Sequence, residues 1–489
     1  LWKRLRKQSP WLKQLKTHQV SGTEAIVSID GFAALFEQRT GKTWVTGAVL
    51  EAEQDITRDV LLVGPLTNLE STWAKFLAEK LPRYTVHRDL PSYIAHKKAW
   101  EKAGDDTPQW NILLLNYEAL TPLVKKLRRL RWDRMVYDEA QRLKNRASRS
   151  SRDAALMSAS ADRRLVLTGT PIDRNPRDLW GVMRFIAPQV FGTVWKDFAD
   201  DFLLEPTLNL EKKGLIAKQK EMMRYRIAKG KAPIRDDKIQ EYADLSSPHM
   251  KRISKEEAGI TRAKRKKVYF DLSPQELKQY KKLEKTMVVK EGGKVIKTPL
   301  RIVQIGKLQQ ITGGHIKDED GDIHRVGTSK RRLLRRLLEK HTTPGEPFVV
   351  FCKYVVEVHE LARMIERAGY GKGAKLWGKV KDLRKDKRRT NMLLGFQRGD
   401  YPWIICQQRT GGVGVDLYRA KKFFVYSMGH SYIDYDQMLS RGDFLENDEP
   451  AEYLFLLARL TIDIDIVMGV EDKKSITEAF YDRLSVNQP

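Results

Sequence analysis

Eight short, unbroken apolar runs constrain this chain more than any other feature. DVLLVGP (59–65), WNILLLNY (110–117), RMVYDE (134–139) and RRLVLTGTP (163–171) form one series; PFVVFCK (347–353), YPWIICQQ (401–408), KKFFVYS (421–427) and AEYLFLLA (451–458) form a second. Continuous runs rich in Val, Ile, Leu and Phe fit strands buried on both faces of a parallel sheet, because a strand with one wet face would alternate. Helix-length stretches separate the runs, so the pattern predicts an α/β fold with two parallel-sheet units. We place the first unit at 1–195, a mainly helical, basic insertion or linker at 196–300 and the second unit at 301–489.

The middle segment changes character. Lys and Arg dominate 212–240, and Arg262, Lys264, Arg265, Lys266 and Lys267 add a further basic cluster. A binding insertion and a solvated connector both fit that composition. Beyond it, Lys330 to Lys340 sets Leu333, Leu334, Leu337 and Leu338 against Arg331, Arg332, Arg335 and Arg336, the pattern of an amphipathic surface helix.

The 90 Lys and Arg against 63 Asp and Glu leave a formal charge of +27. That excess points to a polyanion, whose phosphates release counterions on binding, although a merely soluble surface also carries such charge. With 41% hydrophobic residues, a wholly disordered chain is excluded. The longest apolar stretch, Tyr453 to Val470, is broken by Arg459, Asp463 and Asp465, so no membrane span is expected. The start, Leu1-Trp2-Lys3-Arg4, leads into charged sequence without the apolar region of a secretory signal. Cys352 and Cys406 both fall in strand-like runs, which fits a reducing, cytoplasmic setting without a disulfide framework or zinc site.

Two short motifs carry chemistry. Gln38-Arg39-Thr40-Gly41-Lys42-Thr43 lies between an apolar segment (32–36) and a helix-like one (44–52). In a strand–loop–helix setting, amides at the helix start cradle phosphates, Lys42 reaches the β/γ-phosphates and Thr43 ligates Mg2+. Phe36 stands where the strict phosphate loop has its first glycine, so Gly-Lys-Thr alone is a common chance match. Asp138-Glu139-Ala140-Gln141 closes the run RMVY, the place of a carboxylate that holds Mg2+ beside one that activates water. A capping pair at a helix start has the same composition. About a hundred residues after Gly-Lys-Thr, the catalytic reading is favoured.

The order of motifs is specific. His18-Gln19, QRTGKT (38–43), LLVGPLTNLESTW (61–73), LLLNYEAL (113–120), DEAQRLKN (138–145) and LVLTGTPIDRNPRDLW (165–180) are followed by LQQITGG (308–314), VVFCKY (349–354), QQRTGGVGVDL (407–417) and DQMLSR (436–441). From about His18 to about Ala479 the chain resembles the superfamily-two helicases, and among them the Swi/Snf-like DNA translocases of compact bacterial or bacteriophage type. The resemblance implies two RecA-like lobes with ATP and Mg2+ held between them, and a track for DNA, mainly duplex and without sequence specificity. It implies nucleotide contacts from Gln19, Arg39, Thr40, Gly41, Lys42, Thr43, Gly414, Asp416 and Gln437, with Gln19 reading the adenine edge. It implies catalytic roles for Lys42, Asp138, Glu139, Gln141 and Arg441, and Mg2+ held by Thr43 and Asp138. By the same resemblance Thr168, Gly169 and Thr170 couple phosphate state to lobe movement, and Asn116, Tyr117, Lys353, Tyr354, Arg409 and Thr410 face DNA, although Tyr117 and Tyr354 fit core aromatics equally well. Gly411, Gly412 and Gly414 would let backbone approach closely, having no Cβ; a glycine-rich turn before a helix reads the same way.

One departure matters. The family's last motif carries a second arginine three residues after Arg441, and Phe444 stands there. That arginine usually neutralises charge on the γ-phosphate, an effect of about 10³–10⁵-fold in rate. Arg441 or Arg409 takes its place, or hydrolysis is slow, or the site is altered. The resemblance therefore leaves three activities open: a duplex translocase, a strand-separating helicase, and a nucleotide-gated DNA scaffold. Partners in replication, recombination or repair fit any of them, in a bacterial cell or a virus-infected host.

Overall fold

The computed structural model of the chain describes residues 2–104, 108–143, 145–169, 179–203, 234–286, 288–291, 294–297, 301–378, 388–408, 417–443 and 449–472. They divide into two compact units, the first ending at Ala258 and the second beginning at Gly259.

The first unit is built on seven strands: β1 (Gly31–Phe36), β2 (Asp59–Gly64), β3 (Tyr84–His87), β4 (Trp110–Asn116), β5 (Trp132–Asp138), β6 (Ala161–Leu167) and β7 (Met250–Ile253). Their order is β3-β4-β2-β5-β6-β1-β7, and every pairing is parallel. The reason is visible in the side chains. Leu61 and Val63 point into one core layer and Val60 and Leu62 into the other, all with no exposed surface, so both faces of β2 are dry. Parallel order puts the C-terminal ends of β1, β2, β5 and β6 at one edge, where the loops that carry the motifs emerge.

The second unit has six parallel strands in the order β14-β15-β13-β16-β17-β8. These are β8 (Lys264–Phe270), β13 (Phe348–Cys352), β14 (Ala374–Leu376), β15 (Trp403–Gln407), β16 (Lys422–Val425) and β17 (Glu452–Ala458). Two hairpins lie between β8 and β13: β9 (Val288–Glu291) with β10 (Lys294–Lys297), and β11 (His315–Lys317) with β12 (Ile323–Arg325). The helix Ser329–His341 buries Leu333, Leu334, Leu337 and Leu338, as its spacing predicts. Cys352 and Cys406 are buried in the core, and neither is joined in a disulfide.

All eight apolar runs are strands. The described residues of the middle segment, expected as a mainly helical insertion, carry strands as well as helices. Among its described residues β7 extends the first sheet and β8 the second, with the helix Ile239–Ser246 before β7 and the helix Pro274–Thr286 after β8. The basic cluster from Lys264 is a strand because β8 lies at a sheet edge. Its Phe270 reaches the core while Lys264, Arg265, Lys266 and Lys267 stay in water. Residues 204–233, the centre of the basic stretch, lie outside the described residues. Among the described residues no helix is long and apolar enough to cross a membrane.

Candidate active site

The phosphate loop is a strained turn held from behind. It leaves β1 and enters the helix Lys42–Ala52 through Gly41, which caps that helix at φ 91°. A Cβ at position 41 would lie 2.1 Å from Gln19 Nε2, so only glycine meets both the dihedral and the space. Arg39 also has a positive φ, 74°. The braces come from the helix Thr17–Val27: His18 Nε2 lies 3.0 Å and Gln19 Nε2 3.3 Å from the Thr40 carbonyl oxygen. Gln19 Oε1 accepts from the Lys16 amide at 3.0 Å. Gln19 thus fastens the loop, a role its reading as an adenine contact did not include. Thr40 is buried and donates to the Glu37 carbonyl, and Lys42 Nζ donates to Phe36 O at 3.0 Å.

At the end of β5 the two carboxylates are fixed differently. Asp138 Oδ2 accepts from Trp73 Nε1 at 2.9 Å and Asn68 Nδ2 at 3.3 Å, and Oδ1 accepts from the Glu139 amide at 2.9 Å. Burial, then the neighbouring Glu139 charge, pushes the Asp138 carboxyl above its ordinary range; Trp73, Lys42 and Asn68 pull it back. Glu139 sits at φ 51°, a conformation a non-glycine residue keeps only where the surroundings impose it.

From Glu139 a chain of hydrogen bonds joins three separate motifs. Gln38 Nε2 donates to Glu139 Oε1 at 3.4 Å, Gln141 Nε2 to Glu139 Oε2 at 2.7 Å, and Thr168 Oγ1 to Gln141 Oε1 at 3.0 Å. Gly169 completes the junction: a Cβ there would press on Phe36 O and Gln38 N at 3.2 and 3.3 Å. Sequence reasoning gave no role to Gln38, Asn68 or Trp73, although all three lie within quoted motifs. The donor set fits a magnesium-bound triphosphate: amides at a helix start, an ammonium, a hydroxyl at Thr43, and a buried carboxylate pair whose mutual repulsion a cation would relieve.

The expected DNA contacts fare unequally. Tyr117 is 2% exposed and donates its hydroxyl to the Asp138 carbonyl at 2.9 Å, so it is a core aromatic and not a surface contact. Asn116 caps the helix Tyr117–Leu127 by accepting from the Ala119 amide. In the second unit Lys353 Nζ donates to Gln309 Oε1 at 2.6 Å and Tyr354 donates its hydroxyl to Gly306 O at 2.9 Å. Both residues therefore tie the segment around LQQITGG to the end of β13. Beneath them lies a group the sequence did not reveal. Glu357 is buried, accepts from Ser427 Oγ and the Tyr354 amide, and is pushed up to about 7, chiefly by burial. Gln437 and Arg441 are buried around the end of the helix Tyr432–Leu439. Thr170, Arg409, Thr410, Gly411, Gly412, Gly414, Asp416 and Phe444 lie outside the described residues.

Residues 17–319 match the SNF2-related domain, and residues 329–442 match the helicase conserved C-terminal domain. The chain belongs to the SNF2-related family. SNF2-related relatives include the chromatin-remodeling ATPase INO80 of Gibberella zeae, 32% identical over 196 residues, which are 36% of this chain and 10% of that protein. The same protein of Lodderomyces elongisporus is 31% identical over 206 residues, 38% of this chain and 12% of the relative. The matched part thus spans about a tenth of the length of these curated relatives. The Sulfolobus solfataricus SWI2/SNF2 ATPase core in complex with dsDNA has 19% identity and a TM-score of 0.39 over 95% of this chain and 96% of that one. The ATPase core domain of the same organism gives 19% and 0.37 over 94% and 89%. The family assignment rests on the domain match.

Proposed function

We propose that this SNF2-related chain hydrolyses ATP to move along DNA, mainly duplex, or to remodel DNA and protein–DNA complexes. The observation that carries the reading is the hydrogen-bonded chain Gln38–Glu139–Gln141–Thr168, which brings the phosphate loop, the paired carboxylates and the Thr168-Gly169 turn to one place.

The roles follow from chemistry. Lys42 and the amides at the start of its helix bind the phosphates. Thr43 and Asp138 would hold Mg2+, which when bound neutralises charge on the phosphate oxygens. Glu139, held by Gln38 and Gln141, orients the attacking water and accepts its proton. Because Gln141 is bonded to Thr168, the position of Glu139 and the conformation of the turn after β6 are linked. A change in phosphate state then alters that turn, and alternating grip by the two units produces stepping along phosphates rather than bases.

The charge of +27 supports a track for a polyanion such as DNA. Phe444 favours a second reading, a DNA scaffold gated by nucleotide with weak turnover, and a strand-separating helicase shares the same site. We also infer a compact bacterial or bacteriophage protein acting in a reducing cytoplasm; Cys352 and Cys406, neither of them in a disulfide, support the reducing setting. The test is steady-state ATP hydrolysis without nucleic acid and with duplex DNA, single-stranded DNA or RNA. Duplex stimulation that disappears in Lys42→Ala and Glu139→Gln supports the motor. ATP binding without hydrolysis on any substrate leaves the scaffold, and recovery on Phe444→Arg would assign the defect to that position.

A further inference from the structure

In the second unit β8 pairs with β17 alone among the described residues, so one side of its backbone is open to a further strand. The helix Ser329–His341 flanks it. That helix buries its leucines and turns Arg332, Arg335 and Arg336 outward, all three exposed. With Tyr269, Asp271 and Arg459 they line a cleft of about 730 Å³ at the end of the strand. Arg459 pairs with Asp271 at 2.8 Å and Arg335 with Glu339 at 2.9 Å, but these pairs are exposed, and exposed pairs yield readily to a better anion.

A second observation lies beside Arg459. Leu460 is 93% exposed and holds φ at 54°. Among the described residues it is one of three non-glycine positions with positive φ, and the other two, Arg39 and Glu139, belong to the phosphate site. Leu460 lies in the turn after β17 and holds its apolar side chain in water.

We propose that this face docks an extended acidic peptide segment of a partner protein that carries an apolar anchor. The β8 edge hydrogen-bonds a main chain, the arginine forks take carboxylates, and Leu460 with the 43% exposed Tyr269 receives the anchor. A duplex would use the arginines, but it presents phosphate and sugar and has no use for a strand edge or an exposed leucine.

The test uses the full chain and a short fluorescent peptide of Asp, Glu and Leu, read by anisotropy beside a labelled DNA duplex. Arg335→Glu with Arg336→Glu weakens the peptide about tenfold or more. Leu460→Ser, which changes no charge, weakens it about fivefold and leaves the duplex unchanged. Both variants alter exposed side chains, and unchanged circular dichroism and unfolding midpoint verify the fold. Undetectable peptide binding, or binding indifferent to both variants, overturns the proposal. So does a loss of duplex affinity equal to the loss for peptide, which would make this face a nucleic-acid contact instead.

Discussion

Thr168 donates its hydroxyl hydrogen to Gln141 Oε1 across 3.0 Å, and both side chains are buried. Gln141 turns its other end to Glu139 at 2.7 Å, so its amide has one orientation that serves both neighbours. Thr168→Val removes the donor, frees the Gln141 amide to flip and misplaces Glu139. Each of Gln141→Ala and Thr168→Val is expected to slow ATP hydrolysis about tenfold. The double variant should be little worse than either single one, a coupling of about 0.5–3 kcal/mol in a double-mutant cycle. Additive losses would show that the two side chains act independently.

Two separable features favour glycine at position 41, its φ of 91° and the 2.1 Å from a Cβ to Gln19 Nε2. Gly41→Ala should weaken binding of a fluorescent ATP analogue about tenfold, because the loop must move to relieve both conflicts. Adding Gln19→Ala relieves the clash but not the dihedral, so titration of the double variant should show partial recovery. Full recovery would mean that the dihedral carries no strain.

How much of this was legible in the sequence depends on distance along the chain. The eight apolar runs and the leucine face of Ser329–His341 were readable because burial is periodic and local. The strands β3, β7 and β14 are three or four residues long, and β8 begins with four charged residues, so no periodicity marks them. Lys42, Asp138 and Glu139 were readable from motif and order. Gln38, Trp73 and Asn68 were not assigned, because their contacts with Glu139 and Asp138 span 65 to 101 residues and depend on which strands become neighbours. The place of Tyr117 was open between DNA and core, because an aromatic after a strand looks the same whether it faces solvent or, as here, the carbonyl of Asp138.

Glu53 sits just past the helix that begins at Lys42 and joins two arginines. Arg134, wholly buried, donates to it twice, at 2.8 and 2.5 Å, and Arg163 donates to Oε1. Glu53→Ala strands a buried guanidinium and should cost about 3–5 kcal/mol in urea unfolding of the first unit. Replacing the pair together, Glu53→Met with Arg134→Leu, should cost less than the single change. A single variant as stable as the original would show that the pair contributes nothing.

Glu357 makes stability depend on pH. Burial raises its carboxyl from 4.5 to about 7, so between those values the folded chain holds a proton that the unfolded chain has released. Its contribution is therefore fully present below about pH 4.5, declines as pH rises, and is lost above about pH 7. Gln preserves the acceptor for Ser427 and the Tyr354 amide. Thermal unfolding of Glu357→Gln across this window should lose that decline and exceed the original chain above pH 7. Parallel pH profiles for the two proteins would contradict the assignment.

The central claim is movement along duplex DNA driven by the site around Lys42 and Glu139. Displacement of a labelled third strand from a triplex tests it most directly, because the third strand leaves only when something travels along the intact duplex beneath it. The account predicts ATP-dependent displacement by the original chain, none with a non-hydrolysable analogue, and none by Glu139→Gln. Duplex-stimulated ATP hydrolysis with the third strand still in place would contradict it.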